Sequence, residues 1–127
     1  MTLVLERPAL LKSLALIDGN WCGADDGSVF AVTNPANGAV ITKVPRLQAA
    51  ETDRAIAAAE KALPGWRSKT AKERAQILRR WYELMVANQN DLATILTHEQ
   101  GKPLAEARGE VLYGAAFIEW FGEEATR

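Results

Sequence analysis

The amino-acid sequence predicts an α+β fold, in which a β-hairpin and further short strands come first and four helices follow. Two observations carry this prediction. Residues 15–45 contain short apolar segments separated by turn-forming sequences, the pattern typical of β-hairpins. Residues 52–120 carry apolar side chains at intervals of three and four, the periodicity of helices that bury one face.

Composition and charge narrow the possible partners. A chain of 127 residues can form a domain with its own core. Its content of 48% hydrophobic and 24% charged residues argues against a disordered chain. The net charge of -1 provides no surplus of basic side chains for phosphate backbones. We therefore expect no binding to nucleic acid.

The N-terminal apolar segment predicts neither a membrane span nor a secretory signal. Residues 9–17 are too few to cross a bilayer and are interrupted by Lys12 and Ser13. Glu6 precedes the segment and no small-residue cleavage site follows it. Cys22 is the only cysteine, which excludes an internal disulfide and fits a reducing compartment. We expect a cytoplasmic protein that does not associate with membranes.

The strands are predicted from turn chemistry and alternation. "LALIDGNW" places Asp18-Gly19-Asn20 between apolar residues, and this sequence favours a tight hairpin. "VFAVTNP" alternates, with Phe30 and Val32 on one face, and ends before Pro35. "PANG" turns the chain. "AVITKVP" then predicts a strand with these side chains together on one face: Val40, Thr42 and Val44.

The first two helices have different start signals. The first helix begins after either Gln48 or Thr52, and Pro64-Gly65 is expected to end it. Its apolar stripe consists of Thr52, Ile56, Ala59 and Leu63. The second helix begins with "TAKE", in which Thr70 and Glu73 form a capping box. One broad face of this helix is predicted to carry Arg74, Ile77, Leu78, Trp81, Leu84 and Met85.

The third helix follows an asparagine-rich break, with either Asn88 or Asn90 as its cap. It is expected to bury Leu92, Ile95 and Leu96 and to end at Gly101. Pro103 suits the first turn of the fourth helix.

The fourth helix is apolar on two sides. One stripe consists of Leu104, Ala107, Val111, Ala115 and Ile118. A second, displaced stripe consists of Tyr113, Phe117 and Trp120. The small residues 114–116 would let a neighbouring backbone approach closely. A helix with two apolar sides is normally buried inside a larger protein.

No catalytic, cofactor-binding or metal-binding residue is predicted from the residues themselves. Phosphate-binding glycine motifs are absent. Cys22 lacks a neighbouring basic partner and suits a structural role. His98 is the only histidine and lies near a helix C-terminus, where positive charge is favoured.

Paired acidic residues do not change this conclusion. Glu123 and Glu124 point about 100° apart on a helix and cannot face one substrate together. Asp25-Asp26 lacks a calcium-loop pattern and fits a turn. The stripe Tyr113, Phe117 and Trp120 could line a ligand pocket, although such stripes are more often core.

Several segments in order resemble the N-terminal region of the aldehyde dehydrogenase superfamily. They are "LIDGNW", "VTNPANG", "AIAAAEKALPGWR", "TAKERAQILRRWYELM", "DLATILTHEQGKPLAEARGEV" and "FIEWFGEEATR". Within the superfamily these segments are similar to those of bacterial succinate-semialdehyde dehydrogenases. The resemblance implies that residues 1–14 are an N-terminal extension. Residues 15–127 would be the first part of an aldehyde dehydrogenase domain, whose complete fold is α/β.

The resemblance also implies the chemistry of a longer parent enzyme. Family members oxidise an aldehyde to a carboxylic acid through a cysteine thiohemiacetal and pass hydride to NAD or NADP. Their nucleophilic cysteine, general-base glutamate, oxyanion asparagine and nucleotide-binding turn all lie beyond the matched region. Cys22 lacks the Gly-Gln-x-Cys surroundings of the nucleophile. The chain alone is thus expected to be inactive and to bind no cofactor.

Two site assignments follow only from the resemblance. Tyr113 and Phe117 match a helix that borders the substrate tunnel in some members. Val32, Thr33 and Glu99 match positions that hold a monovalent cation in some members. That cation also requires a ligand from the absent part, so no metal site is expected in this chain.

Two functions from different classes compete. The first is the N-terminal portion of an NAD(P)-dependent, homo-oligomeric aldehyde dehydrogenase that oxidises succinate semialdehyde and requires the remainder of the enzyme. The second is a self-standing α+β interaction module that uses the helix over residues 104–127 as a partner surface.

Overall fold

Two β-hairpins precede four helices in this computed structural model, which describes residues 3–125. The strands are β1 Ala15–Ile17, β2 Asn20–Cys22, β3 Val29–Thr33 and β4 Val40–Pro45. The helices are α1 Ala49–Ser68, α2 Ala71–Ala87, α3 Gln89–Gln100 and α4 Leu104–Glu124. This confirms the predicted α+β class, and residues 126–127 of the predicted last helix lie outside the described residues.

The first hairpin is closed by the predicted turn. Strands β1 and β2 are antiparallel, and Ile17 pairs with Asn20 across a loop of Asp18 and Gly19. Both loop residues have positive φ, +49° and +76°. A two-residue turn of this hand matches the twist of the flanking strands. Asn20 belongs to β2, and its side-chain amide donates to the Asp18 carbonyl at 3.0 Å.

The second hairpin contains a bulge that the sequence pattern did not predict. In the β3–β4 pair, Thr33 is opposite Val40 while Val32 is opposite Thr42, so Ile41 is the extra residue. Because adjacent residues of β3 point to opposite faces, Val40 and Thr42 lie on different faces. The expectation that Val40, Thr42 and Val44 share one face is therefore wrong at Val40.

Helix α1 is longer than predicted, because it continues through Pro64 to Ser68. Proline removes one helical hydrogen bond, here the one to the Glu60 carbonyl. Both residues are exposed, so water can hydrate that carbonyl. The helix begins after Gln48, which resolves the two possible starts. Its predicted apolar stripe is exposed, consisting of Thr52, Ile56, Ala59 and Leu63.

The start of α1 is anchored to the preceding turn by two acidic side chains. The buried Glu51 carboxylate accepts the Asp25 N–H at 2.9 Å and the Gln48 N–H at 3.0 Å. These two backbone hydrogen bonds lower the pKa of Glu51. Arg54 binds both Asp25 oxygens at 2.7 Å, and its hydrogen bonds lower the pKa of Asp25. Both contributions to stability require ionised carboxylates and are lost as the pH falls through the lowered pKa values.

The predicted capping box opens α2. Thr70 Oγ1 accepts the Glu73 N–H at 3.3 Å, and the Glu73 carboxylate accepts the Thr70 N–H at 2.7 Å. Hydrogen bonds from the Thr70 hydroxyl and backbone lower the pKa of Glu73. The reciprocal bonds satisfy two donors that a helix start leaves unpaired.

Helix α2 packs against α4 with only part of its predicted face. Leu78 and Met85 are half-buried on the α4 side. Ile77, Trp81 and Leu84 are exposed, so the prediction of one broad buried face is wrong for them. The α2–α4 contact therefore buries only one strip of α2.

Gly122 lies where α4 packs closely against α2. A Cβ added at Gly122 would lie 3.3 Å from Leu78 Cβ and 3.8 Å from the Ala75 carbonyl oxygen. The close contact was predicted around residues 114–116, but Gly114 has only the flexible Met85 terminus nearby, at 3.9 Å. An ion pair between Arg79 and Glu119, at 2.9 Å, lies beside the contact.

Helix α3 connects the helical layer to the second hairpin. Asn88 precedes the helix as its cap residue, although its side chain donates to the Leu84 carbonyl of α2 instead of capping α3. The helix ends at the predicted Gly101, whose φ is +84° and whose N–H donates to the Thr97 carbonyl at 2.9 Å. A Cβ at Gly101 would lie 3.1 Å from Pro35. Both the positive φ and this close approach therefore favour glycine at position 101.

The core is small. Its fully buried apolar residues are Ala93, Ala107 and Ala115, and no large side chain between residues 3 and 125 is fully buried. The predicted α3 residues Leu92, Ile95 and Leu96 are only half-buried. The buried polar residues were not predicted, namely Glu51, Asp91 and His98. The described residues thus bury much less large apolar surface than their composition provides.

Two glycines of α4 provide a matched test of the α2–α4 contact. We expect Gly109→Ala to stabilise the chain by about 0.5–1 kcal/mol, because alanine favours a helix and no atom lies within 4 Å of the added Cβ. Gly122→Ala has the same helical gain but collides with Leu78 Cβ, which no side-chain rotation can move. Chemical denaturation of both variants measures the difference. Equal stabilisation by the two substitutions would contradict the close contact.

Candidate binding surface on the last helix

The inner stripe of α4 packs as predicted. Ala107 and Ala115 are fully buried, and the remaining stripe residues are half-buried, namely Leu104, Val111 and Ile118. Helices α2 and α3 cover this side. One of the two apolar sides of α4 therefore has its partners within the described chain.

The other side of α4 is exposed. Tyr113 is 68% exposed, Phe117 49% and Trp120 58%. Their spacing of four and three residues places them on one side of the helix, opposite the inner stripe. Phe121 is also exposed and adjoins them. We refer to Tyr113, Phe117, Trp120 and Phe121 as the aromatic face.

The aromatic face forms a shallow pocket of about 330 Å³. The rings of Tyr113 and Phe117 meet edge to face, with centroids 4.9 Å apart and planes at 89°. Ala116 also lines the pocket, where its short side chain leaves room between the rings. Sequence spacing predicted three aromatic residues on one side but missed Phe121 and the concavity at Ala116. This signal was available, since a small residue within an aromatic stripe produces a gap.

The pocket is apolar and contains no nucleophile. Among its lining residues the only side-chain polar groups are the Tyr113 hydroxyl and the Trp120 indole N–H. A surface of this kind can bury an apolar segment or the carbon chain of a small molecule, but it cannot perform acid–base or covalent chemistry.

The positions implied for a cation lie at the ends of β3 and α3, two elements that contact each other. Val32 and Thr33 end β3, and Glu99 lies in the last turn of α3. Within residues 3–125 no group of three His, Cys, Asp or Glu side chains could hold a metal ion. Cys22 is half-buried in β2, opposite Ala15. The structure brings none of these residues into the aromatic face.

His98 is a buried residue of α3. Its Nδ1 lies 2.9 Å from the Thr94 carbonyl, which can only accept, so Nδ1 carries the proton of this bond. Its Nε2 is buried and has no hydrogen-bond partner among the described residues. The sequence predicted its place near the end of a helix correctly but not its burial.

The acidic pairs have structural partners. Asp26 accepts the Ser28 N–H at 2.8 Å, which confirms the predicted turn. Hydrogen bonds from the Ser28 side chain and backbone lower the pKa of Asp26. Glu123 pairs with Arg79 at 3.7 Å on the helix surface. Over the described part of the chain, no helix is long and apolar enough to cross a membrane.

Comparison with known proteins gives consistent matches over almost the whole chain. The sequence profile of the Aldehyde dehydrogenase family matches residues 21–127. The chain is 58% identical over 123 residues to glutarate-semialdehyde dehydrogenase of Pseudomonas aeruginosa. It is 57% identical over 123 residues to succinate-semialdehyde dehydrogenase [NADP(+)] of Escherichia coli K12. Each alignment covers 97% of this chain and 26% of the relative.

A solved structure has nearly the same backbone. The crystal structure of aldehyde dehydrogenase from Brucella melitensis biovar abortus 2308 superposes with a TM-score of 0.97 at 60% identity. The superposition covers 99% of this chain and 26% of that structure. The chain thus spans about a quarter of the length of the relatives that it matches, and the matched part is their N-terminal part.

We expect the 127-residue chain to associate through its aromatic face or to bind hydrophobic dye there. Each large side chain left in water forgoes roughly 1.5–3 kcal/mol of burial. Whole domains are stable by only about 5–15 kcal/mol, so the burial free energy lost at three such side chains is a large fraction of the total stability. Trp120→Glu should reduce dye binding and association, measured by fluorescence and light scattering.

The matched control for this prediction is Ile56→Glu on α1. Ile56 is 60% exposed and lies outside the aromatic face. The same change from an apolar to an acidic residue should have a much smaller effect there. A monomeric chain that binds no dye, or equal effects of the two substitutions, would show that the aromatic face is not the adhesive surface.

Proposed function

Because this chain belongs to the aldehyde dehydrogenase family, we propose that it is the N-terminal portion of an NAD(P)-dependent enzyme that oxidises succinate semialdehyde to succinate. In this proposal residues 15–127 are the first part of the aldehyde dehydrogenase domain, and residues 1–14 precede it. The nucleophile, the general base and the nucleotide-binding turn are supplied by the remainder of the enzyme. The chain alone then binds no cofactor and has no activity.

The exposed aromatic face is the observation that supports this proposal most directly. Four aromatic side chains on one side of α4 form an apolar pocket with no partner packed on it among residues 3–125. The relatives are about four times longer than the matched segment, which is 26% of their length. A larger enzyme provides enough additional chain to cover this side of α4.

We propose that Tyr113 and Phe117 form part of the wall of the substrate tunnel. Their edge-to-face packing fixes both rings, and the pocket beside them has room for a short carbon chain. An apolar wall would exclude water and orient the aldehyde while other residues perform the chemistry. No proton or hydride is transferred by either side chain.

The choice of substrate and cofactor rests on the resemblance and the relatives. Similar proteins are named for glutarate semialdehyde as well as succinate semialdehyde, and these substrates differ by one methylene group. A methylene group gives about 10–200-fold discrimination, so kcat/KM for the two substrates decides between them. The name of the Escherichia coli relative specifies NADP(+), and assays with both nucleotides decide the cofactor.

The proposal extends to the setting of the complete enzyme. The resemblance suggests a homo-oligomer. The lone Cys22 fits a reducing compartment, such as the cytoplasm.

A self-standing interaction module is the alternative function. It would use the aromatic face to bind another protein, and it would not require any further chain of the dehydrogenase family. Two results together would support this alternative. The 127-residue chain would be a stable monomer that binds a partner protein through α4, and no dehydrogenase activity would accompany it.

The proposed function is tested with two proteins, the 127-residue chain and the complete enzyme that contains it. We expect the complete enzyme to form NADH or NADPH from succinate semialdehyde and the 127-residue chain to form none. The assay follows the absorbance of the reduced nicotinamide. Nucleotide reduction by the 127-residue chain above buffer, or a complete protein inactive towards semialdehydes, would contradict the proposal.

Phe117→Ala in the complete enzyme tests the tunnel wall separately. Removing the ring should lower kcat/KM for succinate semialdehyde by about tenfold, the effect of misplacing a substrate near the reacting groups. Ile56→Ala on α1 is the control and should leave kcat/KM unchanged. Unaltered kinetics of Phe117→Ala with intact stability would remove Phe117 from the tunnel.

A further inference from the structure

We propose that residues 3–14 form a strap that the Asp91 carboxylate clasps onto α3, and that this strap closes a cavity beside His98. The inference concerns the N-terminal segment and α3, and it does not depend on the proposed enzymatic activity. Residues 3–14 contribute no β-strand, and their one regular element is a single turn of 3-10 helix at Pro8–Leu10. Its hydrogen bonds to α3 and the contact of the Lys12 ammonium with the Trp21 ring of β2, 4.8 Å from the ring centroid, therefore decide where this segment lies.

The clasp consists of two hydrogen bonds to one buried side chain. Asp91 lies in the first turn of α3 and is buried. Its Oδ1 accepts the Glu6 N–H at 3.0 Å, and its Oδ2 accepts the Arg7 N–H at 2.8 Å. Bonds to an ionised carboxylate are stronger than those between neutral groups. Since both donors are backbone N–H groups, these hydrogen bonds depend on the side chain of Asp91 and not on the side chains of the strap.

The cavity lies between the strap and the rest of the fold and has a volume of about 500 Å³. Leu3 and Leu11 line it from the strap. His98 of α3 and residues 39–41, where the chain enters β4, are among the residues that line the other side. The strap thus provides an apolar cover over a space that adjoins a buried imidazole.

His98 gives the closed state a local cost. Its Nδ1 is bonded to the Thr94 carbonyl, whereas its Nε2 is buried without a partner among the described residues. A buried acceptor without a donor is unfavourable, and water would satisfy it if the cavity opened. The free-energy cost of opening the strap is therefore partly offset by the hydration of His98 Nε2. This makes the segment a local unit that can detach while the helices stay folded.

The remainder of the fold does not require the strap to be closed. Every residue from 3 to 14 is exposed or half-buried, and none is fully buried. The α2–α4 and α3–α4 contacts are made by other residues. Release of the strap should then expose the cavity without unfolding the helices, which distinguishes a strap from a part of the core.

Chemical modification of His98 tests the proposal, because it is the only histidine of the 127-residue chain. Diethyl pyrocarbonate reacts with an accessible unprotonated imidazole nitrogen, here Nε2. In Asp91→Asn one carboxylate oxygen is replaced by an amide NH2 that cannot accept a bond from the strap. We expect carbethoxylation of His98 and amide exchange at Glu6 and Arg7 to be about tenfold faster in this variant.

Two further variants make the outcome decisive. Asp53→Asn, at an exposed position of α1, makes the same chemical change away from the clasp and should leave both rates unaltered. Leu3→Ser loosens the strap without altering α3 and should accelerate modification of His98 as Asp91→Asn does. Fast modification of the unsubstituted chain, or equal rates in all variants, would overturn the proposal. It would also be overturned if α3 amides exchanged as fast as those of the strap in the Leu3→Ser variant.

Discussion

The constraint on which the rest of the structure depends is that α4 is apolar on two opposite sides. Its inner side contacts α2 and α3 through small residues, and Gly122 allows α2 to approach within van der Waals distance. Its outer side carries the aromatic face, which the described residues leave exposed. Because only alanines are fully buried on the inner side, the helical layer obtains little of its stability from large side chains. Coverage of the aromatic face would complete this layer.

Helix α3 connects the separate parts of the fold. Its first turn holds the N-terminal segment through Asp91, and its last turn places Gly101 against Pro35 of the second hairpin. Between these ends it packs on α4. The second hairpin is thus positioned relative to α4 through α3, while α1 contacts β1 of the first hairpin and remains exposed along its predicted stripe. This chain covers about a quarter of the relatives' length, and the remainder of such a protein would provide further chain to pack on both exposed surfaces.

The sequence predicted those features that depend on neighbouring residues. The Asp18-Gly19 turn, the capping box of Thr70 and Glu73, and the stop at Gly101 each follow from local chemistry and are confirmed. Three other features depend on distant contacts or on solvent, and sequence periodicity cannot predict them. They are the bulge at Ile41, the continuation of α1 through Pro64 and the hydrogen bonds of Asp91. For the site, spacing placed Tyr113 and Phe117 together, but catalytic function was accessible only through resemblance, since no reactive group lies in the pocket.

The central claim is that the aromatic face belongs inside a larger enzyme, and hydroxyl-radical footprinting with mass spectrometry tests it most directly. Oxidation of Tyr113, Phe117 and Trp120 is compared between the 127-residue chain and the complete enzyme, with exposed Trp21 as the internal reference. We expect strong protection of the three residues in the complete enzyme and ready oxidation in dilute 127-residue chain. Equal oxidation of these residues in both proteins would contradict the claim.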